Sequence, residues 1–505
     1  MTKRGTFYNA FGGKIMRRLL SKIENRKLYM IELLYQKNDY MPIEDLAAEL
    51  QTSVRNLKED IAEMDNLSDI LTITLLQDKV KMEFHQNTGV ESVTQHLINH
   101  NFSYKLLEEM FFNETLHLEE LAESMYVSTS TIYRQFRKIE DVLKENFTVE
   151  LKTNPCRVSG NEEDIRAFYV TFFSEKYSIF DWPFEDIVSE KLMDDLVESL
   201  IDLIGIDVDF SFLRYVKYVG IIGLLRYKNN YFLNEDVETG KYEIIDEAAR
   251  TFDLTALEDA LDIKITEETL SETFAVFLQA NVPFTNEDFI KKANQSPVIT
   301  HSYFRLLEMI NALSKKYELP IPNRDDMIMG VHNTLFLGRS ELYTNFILND
   351  KKRKFVQAAK ELYPDFYNDM YHYMTDYIVD IYERNDKILL NHMIYTFMTH
   401  WDDLFVSLKA QQKKASVLLV SSNDIKHATM MRSVIDFEFS EQLEITIGTD
   451  LKVIKEALSS NNYDLIISNF PIEDDSHSRV ICVENIPTRA NMLTIMENLM
   501  SVSDE

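Results

Sequence analysis

The chain carries only two cysteines, Cys156 and Cys482, in 505 residues. A pair this distant in sequence makes neither a disulfide framework nor a multi-cysteine metal site, and it suits a reducing compartment. Glycine and proline are sparse too, at 12 and 10, which argues for helices and against a turn-rich all-β protein. No apolar run approaches the roughly 20 residues needed to cross a bilayer. The stretch Phe11-Gly12-Gly13-Lys14-Ile15-Met16-Arg17-Arg18 lacks the uninterrupted apolar segment of a secretory leader. A cytoplasmic protein with no membrane partner is expected. Histidine is missing altogether between His117 and His301.

The length exceeds what one core serves and predicts about three to five domains, for which a hydrophobic content of 45% supplies the cores. A net charge of −30 excludes a protein that coats nucleic acid indiscriminately, because phosphate repels such a surface. The charge is uneven, however. Residues 1–160 hold 20 Lys and Arg against 24 Asp and Glu, so nearly all the acidity lies beyond them. At the N-terminus Lys3, Arg4, Lys14, Arg17, Arg18, Lys22, Arg26 and Lys27 face one acid, Glu24. This reads as a basic arm able to neutralise phosphates, or else as an ordinary solvated terminus.

Two stretches repeat each other 75 residues apart, Asp45–Ile61 and Glu120–Phe136. Leu46 aligns with Leu121, Ala47 with Ala122, Leu50 with Met125, Leu57 with Ile132 and Ile61 with Phe136. A small residue where two helices meet and a serine before each second helix, Ser53 and Ser128, give the pattern of a helix-turn-helix. Alternating, β-branched segments follow each copy. Leu71–Leu75 and Lys79–Phe84 flank Gln77-Asp78; Phe147–Leu151 and Cys156–Val158 flank Thr153-Asn154-Pro155. Tandem winged helices over 21–160 are predicted.

In the second copy Ile132, Phe136, Ile139 and Leu143 must face inward. That leaves Ser130, Thr131, Arg134 and Arg137 for a major groove, with Tyr133 able to go either way; arginine reads guanine in a bidentate fashion and hydroxyls reach phosphates or bases. The first copy offers Arg55, Asn56 and Lys58 but also Glu59 and Asp60, which phosphate disfavours. The second helix is expected to be the main reader, with purely protein-contacting helices as the alternative.

From about 160 to 405 the pattern is long helices without strand runs. Two segments there share a layout, Ile265–Phe277 and Pro322–Leu335; aligned on their paired acids, His332 falls opposite Phe274. From Ala415 apolar strand runs alternate with helices, predicting a small, mostly parallel α/β domain.

Tandem helix-turn-helix units, the junction Val158–Arg166, two helical bundles and an α/β tail together resemble the Mga/AtxA family of transcription regulators of Gram-positive bacteria. The resemblance implies a mainly α, multidomain protein: a basic arm and first winged helix-turn-helix (1–86), a second (87–160), two phosphotransferase-system regulation domains or PRDs (161–285 and 286–410), and an enzyme IIB-like domain (411–505) that supports dimerisation. It implies double-stranded promoter DNA, a second copy of the chain and a phosphocarrier protein as partners, and no cofactor. His332 matches the acid-loop-then-helix motif that carries the PRD phosphoacceptor. The first PRD, without histidine, has Phe274 in that place. Phosphohistidine adds about two negative charges and can break or build a helical interface. A hydrogen-bonded core histidine is the alternative. His372, His392 and His400 are weaker candidates, and their spacing makes no convincing metal site. In the tail Ser421 stands where a IIB domain has its phosphorylated cysteine, and glycine is missing from the loop, so phosphotransfer is not expected even with His427 nearby. An RNA-binding antiterminator with PRDs and a phosphotransferase-system component are the competing readings.

Overall fold

The computed structural model describes residues 14–144, 149–233, 243–337, 346–382, 387–411, 414–439, 442–459, 462–472 and 480–502. Lys3, Arg4, Phe11 to Gly13, Phe147 and Thr148 lie outside the described residues. The chain forms two compact units. The larger comprises the described residues up to Leu313 together with Asn323–Trp401, and the smaller comprises Ser314–Pro322 and Asp402 onward.

Within the larger unit the sequence repeat is a structural repeat. Helices Ile43–Glu49 and Val54–Ala62 form one pair, Leu118–Ser124 and Thr129–Lys144 the other. Each turn passes through a left-handed residue at the same register, Gln51 at φ 51° and Tyr126 at φ 55°, which reverses the chain in few residues. The Thr52 amide then donates to Ala47 O and that of Val127 to Ala122 O, both at 2.9 Å. Ala47 and Ala122 are buried, as close approach of two helices requires. Ser53 Oγ accepts the Asn56 amide at 3.1 Å and Ser128 Oγ that of Thr131 at 3.2 Å, so both serines cap their helices. Leu46, Leu57, Leu121 and Ile132 are fully buried, each contributing on the order of 1.5–3 kcal/mol.

An antiparallel hairpin follows each pair. Leu71–Leu76 pairs with Lys79–Phe84 around Gln77 and Asp78, both with positive φ, as a two-residue hairpin turn demands. Met41–Pro42 adds a short third strand. Val149–Thr153 pairs with Cys156–Gly160, with Val149, Leu151, Cys156 and Val158 on the buried face. Burial pushes the Cys156 thiol up to about 11, leaving it unreactive at neutral pH.

Beyond Gly160 the described residues of the larger unit hold helices and no strand. The two segments of similar layout differ in length: Glu267–Thr273 is 7 residues and Arg324–Leu337 is 14. The longer helix packs closely on Lys387–His400, with Thr334 bonded to Thr396 at 3.0 Å. A Cβ at Gly330 would lie 2.4 Å from His400 Nδ1, so the crossing leaves no room for a side chain there.

The smaller unit carries a four-stranded, all-parallel sheet in spatial order Leu443–Ile447, Ala415–Val420, Leu465–Ser468, Val480–Cys482. Alternation along the second of these strands sends Val417 and Leu419 to one core with Met431, Ile435 and Ile495, and Leu418 and Val420 to another with Ala457 and Ile466. Helices Ile425–Phe439 and Arg489–Val502 contribute to the first core, and Leu451–Ser459 to the second. This is the parallel α/β arrangement expected of the tail.

Candidate functional site

The helix Thr129–Lys144 presents one solvent face. Ser130, Tyr133, Arg134 and Arg137 are exposed at spacing i, i+3, i+4, i+7, while Ile132, Phe136, Ile139 and Leu143 are buried on the other side. Tyr133 therefore goes outward. Its hydroxyl accepts from Arg137 Nη2 at 2.7 Å, and the guanidinium lies 5.0 Å from the ring centroid, which holds both side chains in place. Arg134 is exposed with no ion pair among the described residues. Thr131 is half-buried; its hydroxyl and that of Ser130 lie 2.9 and 2.8 Å from the capping Ser128 Oγ. Tyr126, in the turn ahead of this helix, is 96% exposed. The sequence reading did not include it, although a polar-tipped aromatic without a place in the apolar stripe was the available signal.

The first unit's helix is differently disposed. Arg55, Asn56 and Lys58 are exposed, but Arg55 pairs with Glu59 at 3.0 Å and Lys58 with Asp78 at 3.0 Å. Asp60, expected beside them, is instead buried and accepts two hydrogen bonds from Arg26.

The basic arm is dispersed in the same way. Arg17 donates to both carboxylate oxygens of Glu32 at 2.8 Å and to Leu348 O at 3.0 Å. It is a structural tie, which corrects the expectation that it meets phosphate. Lys27 pairs with Glu63, and Glu24 completes a capping box with Ser21. Arg18 is exposed; Lys14 lies in the short helix Lys14–Arg17. Glu32 and Glu63, which lie beyond the arm in sequence, were outside a count of charge confined to it.

One buried polar assembly ties the helix-turn-helix half to the helical residues after Gly160, and a second joins two segments of those later residues. In one, Arg226 is nearly fully buried and bonds Glu162 at 2.8 and 2.6 Å and also Glu114. Arg166 extends it from Glu162 to Glu272. In the other, Glu175 accepts the main-chain amides of Ile347, Leu348 and Asn349 at 2.5, 2.8 and 2.9 Å. Burial pushes the Glu175 carboxyl up against these three donors.

His332 sits in the helix Arg324–Leu337 with no solvent exposure. Its Nε2 is 2.8 Å from Asn281 O and its Nδ1 2.7 Å from Ser302 Oγ, which in turn lies 2.6 Å from the Tyr377 hydroxyl. A carbonyl only accepts, so Nε2 carries the proton; with the ring neutral, Nδ1 accepts from Ser302, which leaves the Ser302 oxygen to accept from Tyr377. The chain is satisfied with neutral imidazole. Phe289 and Phe336 flank the ring at 4.9 and 4.5 Å. Phosphate on either nitrogen would displace one of these partners. In the first bundle Phe274 is buried as well.

In the tail Ser421 Oγ and His427 Nδ1 are 2.8 Å apart, and His427 Nε2 donates to Asn485 O at 2.8 Å. Among the described residues no cluster of His, Cys, Asp and Glu could hold a metal ion, and no helix is long and apolar enough to cross a membrane.

Residues 86–173 match the Mga helix-turn-helix domain and 189–404 the PRD domain of the M protein trans-acting positive regulator. A trans-acting regulator of Streptococcus pneumoniae is 29% identical over 96% of this chain and 99% of its own length. The capsule synthesis positive regulator AcpB of Bacillus anthracis is 21% identical over 94% of this chain and 98% of its own. The helix-turn-helix match encloses the exposed face of Thr129–Lys144 and most of helix Glu162–Lys176, and the PRD match encloses the later helices with His332. The chain is thus a transcription regulator of the Mga/AtxA family.

Proposed function

We propose that this protein is a positive regulator of transcription that binds duplex DNA chiefly through Ser130, Tyr133, Arg134 and Arg137. The observation that carries the reading is the composition of that face. Four side chains able to reach bases or phosphates share one side of a helix behind a tight turn, and Arg134 is not committed to an acid. Thr131 and Tyr126 flank the face; Arg18 and Lys14 are further candidates for phosphate. Arg55, Asn56 and Lys58 give weaker contacts, because Glu59 and Asp78 already neutralise the two cations. The second reading of the helices, as surfaces for protein alone, has no comparable support.

Regulation in this proposal runs through the second bundle. A phosphocarrier of the sugar phosphotransferase system phosphorylates His332 when the helices around it part, and the phosphate then keeps Asn281 or Ser302 from closing again. The α/β tail, resembling enzyme IIB, serves a homodimer; its serine in place of cysteine suits an interaction module and not a phosphotransferase. Two copies double the phosphate contacts and fix the spacing of half-sites.

Mobility shift of the full chain on duplex DNA across a salt series tests the reading. Arg134→Ala is expected to lower affinity by roughly 1–3 kcal/mol and to reduce the salt slope, with Arg55→Ala closer to the parent. Preference for an RNA hairpin over the duplex would favour the antiterminator alternative, and binding untouched by Arg134→Ala would remove this face. Label from phosphorylated carrier that is absent in His332→Ala would support the switch; equal labelling would move it to another residue.

A further inference from the structure

A cavity of about 340 Å³ lies inside the larger unit, walled by helix Glu162–Lys176, by Phe210–Lys228, by Glu267–Thr273 and the residues after it, and by the start of Lys351–Leu362. Its size falls in the range of small-molecule sites, about 300–1,000 Å³. Val170, Tyr215, Val219 and Val276 make much of the wall apolar.

The charges around it are unbalanced. Five carboxylates and three basic residues line the cavity, and the basic ones are occupied. Arg166 is held by Glu162 and Glu272, Lys351 by Glu91, and Lys352 lies against His392. Glu163 is different. It is half-buried, and among the described residues it makes no hydrogen bond or ion pair. Burial, with a smaller contribution from the neighbouring acid Asp164, pushes its carboxyl up. A second group in the wall is also unsatisfied: the Thr273 hydroxyl is buried with no hydrogen-bond partner. A buried polar group left unpaired costs about 1–3 kcal/mol, and an occupant that supplies the missing partner recovers it.

We propose that this cavity binds a small organic cation, a primary amine on an apolar or aromatic body. Glu163 provides the counter-charge, Thr273 a second polar contact, and the valines and Tyr215 enclose the body. An anion is disfavoured by the surplus of carboxylates, and a bare metal ion by the apolar wall. Because Glu91 and Lys351 close part of the rim, an occupant would touch the segment after the first hairpin and both bundles at once. Binding is independent of the DNA reading and is measured without DNA.

Calorimetric titration of the full chain decides the matter, using 2-phenylethylamine, tryptamine and putrescine, with 3-phenylpropionate as the control of opposite charge. One amine of the panel is expected to bind once per chain with a Kd below about 1 mM, and the carboxylate at least roughly tenfold more weakly. Glu163→Gln should weaken the amine by roughly tenfold or more with an unchanged melting midpoint. Thr273→Val should weaken it by a smaller factor while leaving the free protein at least as stable. Absence of binding by every amine, equal binding of the carboxylate, or binding that survives both substitutions would overturn the proposal. If Glu163→Gln does not fold, Thr273→Val and the charge-reversed control still settle it.

Discussion

Tyr377 and His332 share one hydroxyl, that of Ser302, at 2.6 and 2.7 Å. The three side chains stand on three helices of the second bundle, Pro364–Tyr382, Arg324–Leu337 and Pro297–Lys316. Any negative charge introduced at His332 meets this chain and two phenyl rings. His332→Asp is therefore expected to lower stability by roughly 3–5 kcal/mol, whereas His372→Asp, at an exposed position, should change it little. Thermal unfolding compares the two. An aspartate at 332 that leaves the midpoint unchanged would show that the histidine's surroundings open freely.

Arg226 joins two carboxylates from different parts of the chain, Glu114 and Glu162. Arg226→Met keeps the volume and removes the charge, leaving both acids buried without their main partner. A loss of about 3–5 kcal/mol is expected, read from urea unfolding. A neutral result would mean that the two carboxyls take up protons at little cost; burial already pushes the Glu114 carboxyl up.

Burial pushes the Lys352 ammonium down to about 7, with Asp350 opposing. The folded value lies below the unfolded one, so between about pH 7 and 10 the unfolded chain binds more protons and stability rises with pH. The penalty is full below that window, on the order of 4 kcal/mol at pH 7, and falls to about 1 kcal/mol at pH 10. Lys352→Met should accordingly raise the melting midpoint at pH 7 and do so much less at pH 10. An equal effect at both pH values would mean that the amine is not desolvated.

Arg17 separates a structural cation from a DNA-binding one. Arg17→Gln is expected to lower stability by about 1–3 kcal/mol, since Leu348 O loses the guanidinium and Glu32 keeps only Lys354 as a basic partner. The salt slope of DNA binding should stay as in the parent, in contrast to Arg134→Ala. A reduced slope in Arg17→Gln would restore Arg17 to the phosphate face.

The helix-turn-helix pairs were legible because their signals are local: Leu46 and Leu121 in register, a capping serine, a small residue at the crossing. The same holds for the parallel tail, where Val417 and Leu419 alternate with Leu418 and Val420. What local pattern does not carry is partnership across tens to hundreds of residues. Arg17 reads as part of a basic cluster until Leu348 is seen beside it, and Asp60 reads as an exposed acid until Arg26 is. His332 was legible as a position in a motif, but its burial was not, because the residues that close over it, Asn281, Ser302 and Tyr377, come from separate segments. The cavity at Glu163 left no sequence signal for the same reason.

Glu175 grips the main chain at Ile347, Leu348 and Asn349 and none of their side chains. Such a grip is blind to the identity of those residues and sensitive to one atom, the amide hydrogen. Apolar exchanges at 347 and 348 that preserve volume leave it intact. Proline at any of the three positions deletes a donor and strands a buried carboxylate. Packing limits the side chains of this stretch, since Ile347 and Leu348 are fully buried, whereas the grip itself excludes a single residue type.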